Sequence, residues 1–98
     1  MKKITIDATS DSVNNTLKVE VIRRSDDKVV FKDLMEGDFG TSQTTTENLE
    51  SNSNYRINIW GVTTGTIKLS ISGDIKAPNP IDIDLNNDFD KAFLVRTN

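Results

Sequence analysis

The sequence predicts an all-β protein: a single antiparallel β-sandwich of about seven strands, the last of them an extra C-terminal strand. Apolar residues alternate with polar ones at a period of two along most of the chain, as in strands with one buried face. No window carries the 3.6-residue apolar stripe of a helix. Turn-forming residues divide the chain at intervals of about 8–12 residues, which is typical of a sandwich.

The alternation and the turns place each strand in order. The predicted strands are residues 2–8, 16–24, 28–34, 41–48, 54–62, 66–75 and 90–96. The residues predicted to face the core are Ile4, Ile6, Ala8, Leu17, Val19, Val21, Tyr55, Ile57, Ile59, Ile67, Leu69, Ile71 and Ile75. The stretches RRSDDK, MEGDFGT and GVTTGT are interpreted as turns.

The C-terminal part is predicted to be an addition to a minimal sandwich. Pro78 and Pro80 end the sixth strand, because proline cannot donate a hydrogen bond to a β-ladder. The whole chain, 1–98, is therefore interpreted as one domain. Residues 1–75 form the core of the sandwich, and 76–98 form a proline-containing connection and a final strand.

Composition excludes several classes of function. The chain has no Cys and no His, so it lacks disulfides, thiolate or imidazole metal ligands, and the side chains of most catalytic triads. The net charge of −3 and the pI of about 4.8 disfavour nucleic acid, whose affinity for proteins comes mainly from basic side chains on phosphates. We expect a protein that is not an enzyme, needs no cofactor and binds no nucleic acid.

Nothing in the sequence predicts a membrane segment. The longest apolar run, 92–95, is far shorter than the roughly 20 residues that span a bilayer. The two N-terminal Lys residues are not followed by the apolar stretch of a signal peptide. We expect a soluble protein, located in a virion or the cytoplasm if Met1 is the native start and outside the cell if a leader was removed.

The stretch LESNSNY, from Leu49 to Tyr55, joins two predicted strands through a polar arch. It resembles the tyrosine corner of fibronectin type III and other immunoglobulin-like domains, although Ser51 stands where those domains often have Pro. The resemblance implies an immunoglobulin-like sandwich in which the Tyr55 ring packs in the core and its hydroxyl bonds back to the arch. Residues 76–98 have no counterpart in a minimal domain of that family, and the family's Trp on strand B is absent from this chain. Another sandwich, such as a jelly roll, is the alternative.

An acidic segment, DIDLNNDFD, is the only candidate for a metal site. Its carboxylates are those of Asp82, Asp84, Asp88 and Asp90, and oxygen ligands of this kind suit Ca²⁺. Aligned as an EF-hand loop it fails, because Asn87 takes the place of the turn glycine and Phe93 that of the bidentate Glu. We interpret the first two Asp residues as the solvent side of a strand and NNDFD as a polar turn, with a looser Ca²⁺ site as the alternative.

Trp60 is the candidate interaction residue. If Tyr55, Ile57 and Ile59 face the core, alternation places Trp60 on the outside beside Arg56 and Asn58. A large exposed ring requires cover. The alternatives are the chain's own AFLV segment, a protein partner, for which Trp and Arg are favoured anchors, or a stacked sugar.

The functional hypothesis is a non-catalytic structural or interaction module of immunoglobulin-like type. Its concrete form is a phage virion accessory or decoration protein, bound in many copies to a capsid or tail protein or to itself. The alternative is a carbohydrate-binding or adhesion module of a larger secreted bacterial protein.

Overall fold

The computed structural model describes residues 1–98 and contains six antiparallel strands and no helix. This confirms the all-β prediction. The strands are β1 (Lys2–Ser10), β2 (Asn15–Arg23), β3 (Lys28–Glu36), β4 (Thr41–Leu49), β5 (Asn54–Gly73) and β6 (Ile81–Arg96).

A long bent hairpin, formed by β5 and β6, belongs to both layers of the protein. In the first layer the order is β3, β2, the first half of β5 (54–63) and the second half of β6 (87–96). In the second layer it is β4, β1, the second half of β5 (66–73) and the first half of β6 (81–86). The strands thus form one continuous sheet that folds over and nearly closes on itself.

The bend in β5 depends on Gly61 and on two extra residues. Gly61 has a φ of 156°, and a Cβ there would lie 1.8 Å from the carbonyl oxygen of Thr16. Thr63 pairs with Asn87 and Thr66 with Asn86, so β5 has two residues at the bend that β6 does not match. Because the insertion is an even number, odd-numbered residues of β5 face inward on both sides of the bend.

The bend corrects two sequence predictions. GVTTGT is not a turn between strands 54–62 and 66–75, since β5 runs through it as one strand. NNDFD is not a turn either, because β6 begins at Ile81 and continues to Arg96 rather than starting at residue 90. The strand count is therefore six. The physical reason is that each strand finds a ladder partner on both sides of the bend, which a glycine-rich segment read alone does not reveal.

The core lies between the layers and includes the C-terminal segment. All thirteen predicted core residues are buried. From β6, Leu85, Phe89 and Val95 join the same cluster. The interpretation of 76–98 as an addition outside the sandwich core is thus wrong for 81–96, because β6 supplies one strand to each layer.

The predicted hydroxyl contact of the tyrosine corner is present. Tyr55 is 1% exposed, and its Oη accepts a hydrogen bond of 2.9 Å from the backbone N–H of Glu50. Thr97, fully buried beside it, accepts from the N–H of Ser53 at 3.0 Å and donates to the Glu50 carbonyl at 2.6 Å. The strand order differs from that of an immunoglobulin domain, in which the second strand lies in the layer of the first and fourth. Here β2 pairs with β3 and β5.

We predict that Tyr55→Phe lowers the free energy of unfolding by about 1–2 kcal/mol, because the ring stays packed while the buried Glu50 N–H loses its acceptor. Chemical denaturation measures the loss. Amide exchange should accelerate first at Glu50, whereas the Gly37 amide, bonded to Asn15 at the far end, should keep its rate. An unchanged denaturation midpoint would contradict the role of the corner.

We predict that Gly61→Ala is more destabilising than Gly37→Ala by about 1–3 kcal/mol, the usual cost of overpacking. Both glycines have positive φ, but a Cβ at Gly37 would meet nothing within 4 Å. The difference therefore combines the clash with Thr16 and the greater backbone strain that a side chain meets at a φ of 156° than at 75°. Equal denaturation midpoints for the two variants would show that this close approach does not hold the bend.

Candidate interaction surface

The outer face of the first layer presents even-numbered residues of β2, β5 and β6. Trp60 lies between Lys18 of β2 and Asp90 of β6 in the sheet register. Asn58 lies in the next row and Arg56 in the one after. We call this surface the Trp60 face. The structure thus brings together the three residues that the alternation placed outside.

A shallow hollow of about 460 Å³ lies beside the Trp60 ring. Its lining residues are Lys18, Val19, Glu20, Lys32, Asp33, Leu34 and Trp60. Next to it, the Asn58 side-chain amide donates to the Glu20 carboxylate at 3.3 Å. Leu34 is 48% exposed and Trp60 is partly buried. An apolar ring surrounded by groups that donate and accept hydrogen bonds can contact a partner by packing and by directed polar bonds.

The C-terminal segment does not cover Trp60. The residue of β6 opposite Trp60 is Asp90, and Phe93 lies opposite Ile57 on the inner face. Only Ala92 and Leu94 share the outer face with Trp60, and Leu94 is 62% exposed. The AFLV segment is thus a neighbouring strand rather than a lid, because alternation directs its aromatic ring into the core.

The Trp60 face ends in a group of cations that sequence analysis missed. We call Arg24, Arg56, Lys76 and Arg96 the basic end. Asn54 joins them, since its carbonyl accepts from the N–H of Arg24 at 3.0 Å and it pairs with Arg96 in the ladder. Three of the four line a hollow of about 190 Å³ with Asn54 and Leu94, and Arg56 lies opposite Leu94. Their positions are far apart along the chain, so only strand register could have revealed the group.

The acidic segment is divided between two faces. Asp82 and Asp84 lie opposite Ser70 and Lys68 on the outer face of the second layer. Asp88 and Asp90 lie in the first layer and form what we call the acidic end of the Trp60 face. No group of three or more carboxylates in the structure could hold a metal ion. The bend at Asn87, whose φ is 54°, lies between the two pairs, and Asp84 lines a hollow of about 370 Å³ together with Asp88 and Asp90.

The two outer faces differ in character. In the second layer the outward residues are polar, and about half of them bear a hydroxyl, namely Thr5, Thr9, Thr41, Thr45, Thr66, Ser70 and Ser72. Several of them satisfy one another, as Thr5 and Thr45 do at 3.2 Å. Exposed large apolar side chains of the two sheet faces lie on the first layer, with Leu34, Val62 and Leu94. The first layer is therefore the better candidate for a contact surface.

Arg23 anchors a polar hollow next to the tyrosine corner. Its guanidinium donates to Asp26 at 2.7 and 3.0 Å and to Glu50 at 3.0 Å. The hydrogen bonds from Arg23 hold the pKa of the Asp26 carboxyl at about 2, below its usual value of 3.8. Asp26 therefore stays charged until the pH falls towards that value. Because Arg23 already pairs with these two carboxylates, we interpret the hollow that it lines as a structural feature rather than a binding site.

No protein-family model, no curated protein and no solved structure matches this chain. The function must therefore be inferred from the surface itself. The structure contains no helix that is both long and apolar enough to cross a membrane. Every buried side-chain nitrogen and oxygen has a hydrogen-bond partner, so no orphaned polar group points to an internal ligand.

We predict that millimolar Ca²⁺ leaves the melting temperature unchanged, because no three carboxylates of β6 are close enough together to hold an ion. A bound ion would raise the melting temperature, because it would bind only the folded state. The same titration of the Asp88→Asn variant is the control. A saturable rise in the wild type that is lost in this variant would restore the Ca²⁺ site.

Proposed function

We propose that this protein is a non-catalytic interaction module that binds a protein partner through the Trp60 face. The observation that carries the proposal is the position of Trp60 on an outer sheet face, beside Leu34 and between Lys18 and Asp90. Trp and Arg are, with Tyr, the residues that are enriched at the energetic centre of protein interfaces. The polar residues around the ring suit the rim of such an interface.

The contrast between the two outer faces supports this choice. The second layer presents Thr and Ser residues that bond partly to one another, together with Lys68, Asp82 and Asp84, whereas the first layer presents an indole ring and exposed aliphatic groups beside its charged residues. Desolvating the first face therefore gains apolar burial and new ion pairs. Desolvating the second face would bury little apolar surface, because its polar groups would mainly exchange hydrogen bonds to water for bonds to a partner.

A virion accessory or decoration protein is the concrete form of this proposal, with attachment to a capsid or tail protein. The relationship to immunoglobulin-like modules is also part of it. The bond between Tyr55 and Glu50 supports that relationship, whereas the pairing of β2 with β5 does not.

A carbohydrate-binding or adhesion module is the second candidate. The observation that favours it is the hollow beside Trp60, in which Glu20, Lys32 and Asp33 could bond to sugar hydroxyls while the ring stacks on the sugar. The hollow holds a single aromatic ring, and a flat protein surface fits the rest of the face better.

We predict that Trp60→Ala abolishes capture of the partner protein from an extract of the native source, whereas Gln43→Ala, on the outer face of the second layer, retains it. Both variants should fold, which melting curves check, because neither residue belongs to the core. Capture by the wild type and by both variants alike would show that the Trp60 face is not the binding surface. A glycan array tests the second candidate, because a module that binds only a protein should bind no sugar through Trp60.

A further inference from the structure

The Trp60 face carries opposite charges at its two ends. The acidic end, Asp88 and Asp90, lies near the bend with Lys18 and Lys91 close by, and the basic end, which contains no carboxylate, lies near the tyrosine corner. No member of either end forms an ion pair, since both ion pairs of the structure belong to Arg23. On β6, Asp88 and Arg96 are eight residues apart, which is about 26 Å in a strand. They cannot neutralise each other within one chain.

We propose that the partner of the Trp60 face is a second copy of this chain, packed face to face about a two-fold axis. The proposal rests on the proposed function and names the partner. A partner of one charge would match only one end of the face and would meet repulsion at the other. A second copy turned end to end offers the opposite charge at both ends.

The residue spacing on the face is symmetric about one row. Asn58 and Ala92 pair across β5 and β6. Trp60 and Arg56 lie two residues to either side of Asn58, and Asp88 and Arg96 lie four residues to either side of Ala92. A two-fold axis in the interface plane, running across the strands through this row, reverses the strand direction. It places Trp60 of one copy over Arg56 of the other, and Asp88 of one copy over Arg96 of the other.

The contacts on either side of the axis row are complementary, and each occurs twice, as in any isologous interface. On the axis row Glu20 meets the Glu20 of the other copy, with Lys32 next to it in the ladder to offset the charge. The Arg56 guanidinium of one copy stacks on the Trp60 ring of the other, a cation–π contact. Arg96 of one copy meets Asp88 of the other as an ion pair. The small side chain of Ala92 on the axis lets the two sheets approach to about 10 Å, the usual spacing of packed sheets.

The area of the face predicts a weak dimer. Four strands about 4.8 Å apart and about 30 Å long cover about 600 Å² per copy. The total of about 1,200 Å² is the lower limit for specific protein interfaces. We therefore expect a monomer–dimer equilibrium that is sensitive to salt, because ion pairs at the edge of the interface are screened.

The test is analytical ultracentrifugation of the full chain at concentrations up to about 1 mM, because an interface of this small area is expected to dimerise weakly. We expect a dimer at low salt that dissociates as NaCl is raised. Trp60→Ala should weaken it by about tenfold or more, as the loss of a central anchor does. A chain that is monomeric throughout this range overturns the proposal.

Charge reversal gives the sharpest test. One variant carries Asp88→Lys with Asp90→Lys, and the other carries Arg56→Glu with Arg96→Glu. Each alone should be monomeric, because like charges then meet at both ends. An equimolar mixture should form a heterodimer, since every reversed end meets an oppositely charged end. A mixture that stays monomeric would contradict the face-to-face arrangement.

A matched control carries Asp82→Lys with Asp84→Lys. It changes the net charge as much as the first variant does, but on the outer face of the second layer, so it should still dimerise. A dimer that survives all the charge reversals lies on another surface, which also overturns the proposal. If the chain is monomeric while capture of a foreign protein still requires Trp60, the proposed function stands and only the two-fold dimer fails.

Discussion

Gly61 brings the backbone of β5 against the carbonyl of Thr16, and no side chain fits between them. This close approach, with the two unmatched residues that follow, lets a single strand leave one layer and enter the other. β1, β2 and β6 are then placed by their pairing with β5, and β4 and β3 by their pairing with β1 and β2. Because the insertion preserves the alternation, β5 and β6 line the core from end to end, and one hairpin carries the hydrophobic surface of both layers.

Both ends of the folded sheet are held by side-chain hydrogen bonds in addition to apolar packing. At the bend, Asn15 is 5% exposed, and its side-chain amide makes four hydrogen bonds of 2.7–2.8 Å with two hydroxyls and two carbonyls. At the other end, Tyr55 and Thr97 satisfy the backbone of the arch. Polar residues at these positions give fixed ends to a core of aliphatic side chains. The surfaces left for contact are then the outer faces and the strand edges.

The free edge of β6 and the Trp60 face follow from the same geometry. A long edge strand invites pairing with other chains, and charged side chains reduce that risk. The Asp residues of β6 are well placed for this role. Two of them also form one end of the Trp60 face, so the same charges discourage edge pairing and are available for a partner that meets the face. The asymmetry between the two outer faces is thus a property of the whole hairpin.

The alternation of apolar and polar residues determined the class of the fold, the thirteen inward-facing positions and the outward position of Trp60, because side-chain direction in a strand is a local property with a period of two. The arch from Leu49 to Tyr55 likewise predicted a contact that depends on a few neighbouring residues. Register and continuity were decided only by the tertiary structure. The segment GVTTGT by itself predicts a turn, but its ladder partners on both sides hold it as a bent strand. The cations at positions 24, 56, 76 and 96 lie close together only because β2, β5 and β6 are paired in this register. Long-range pairing leaves no trace in local sequence, because the hydrogen bonds that create it are made by the backbone, which every residue shares.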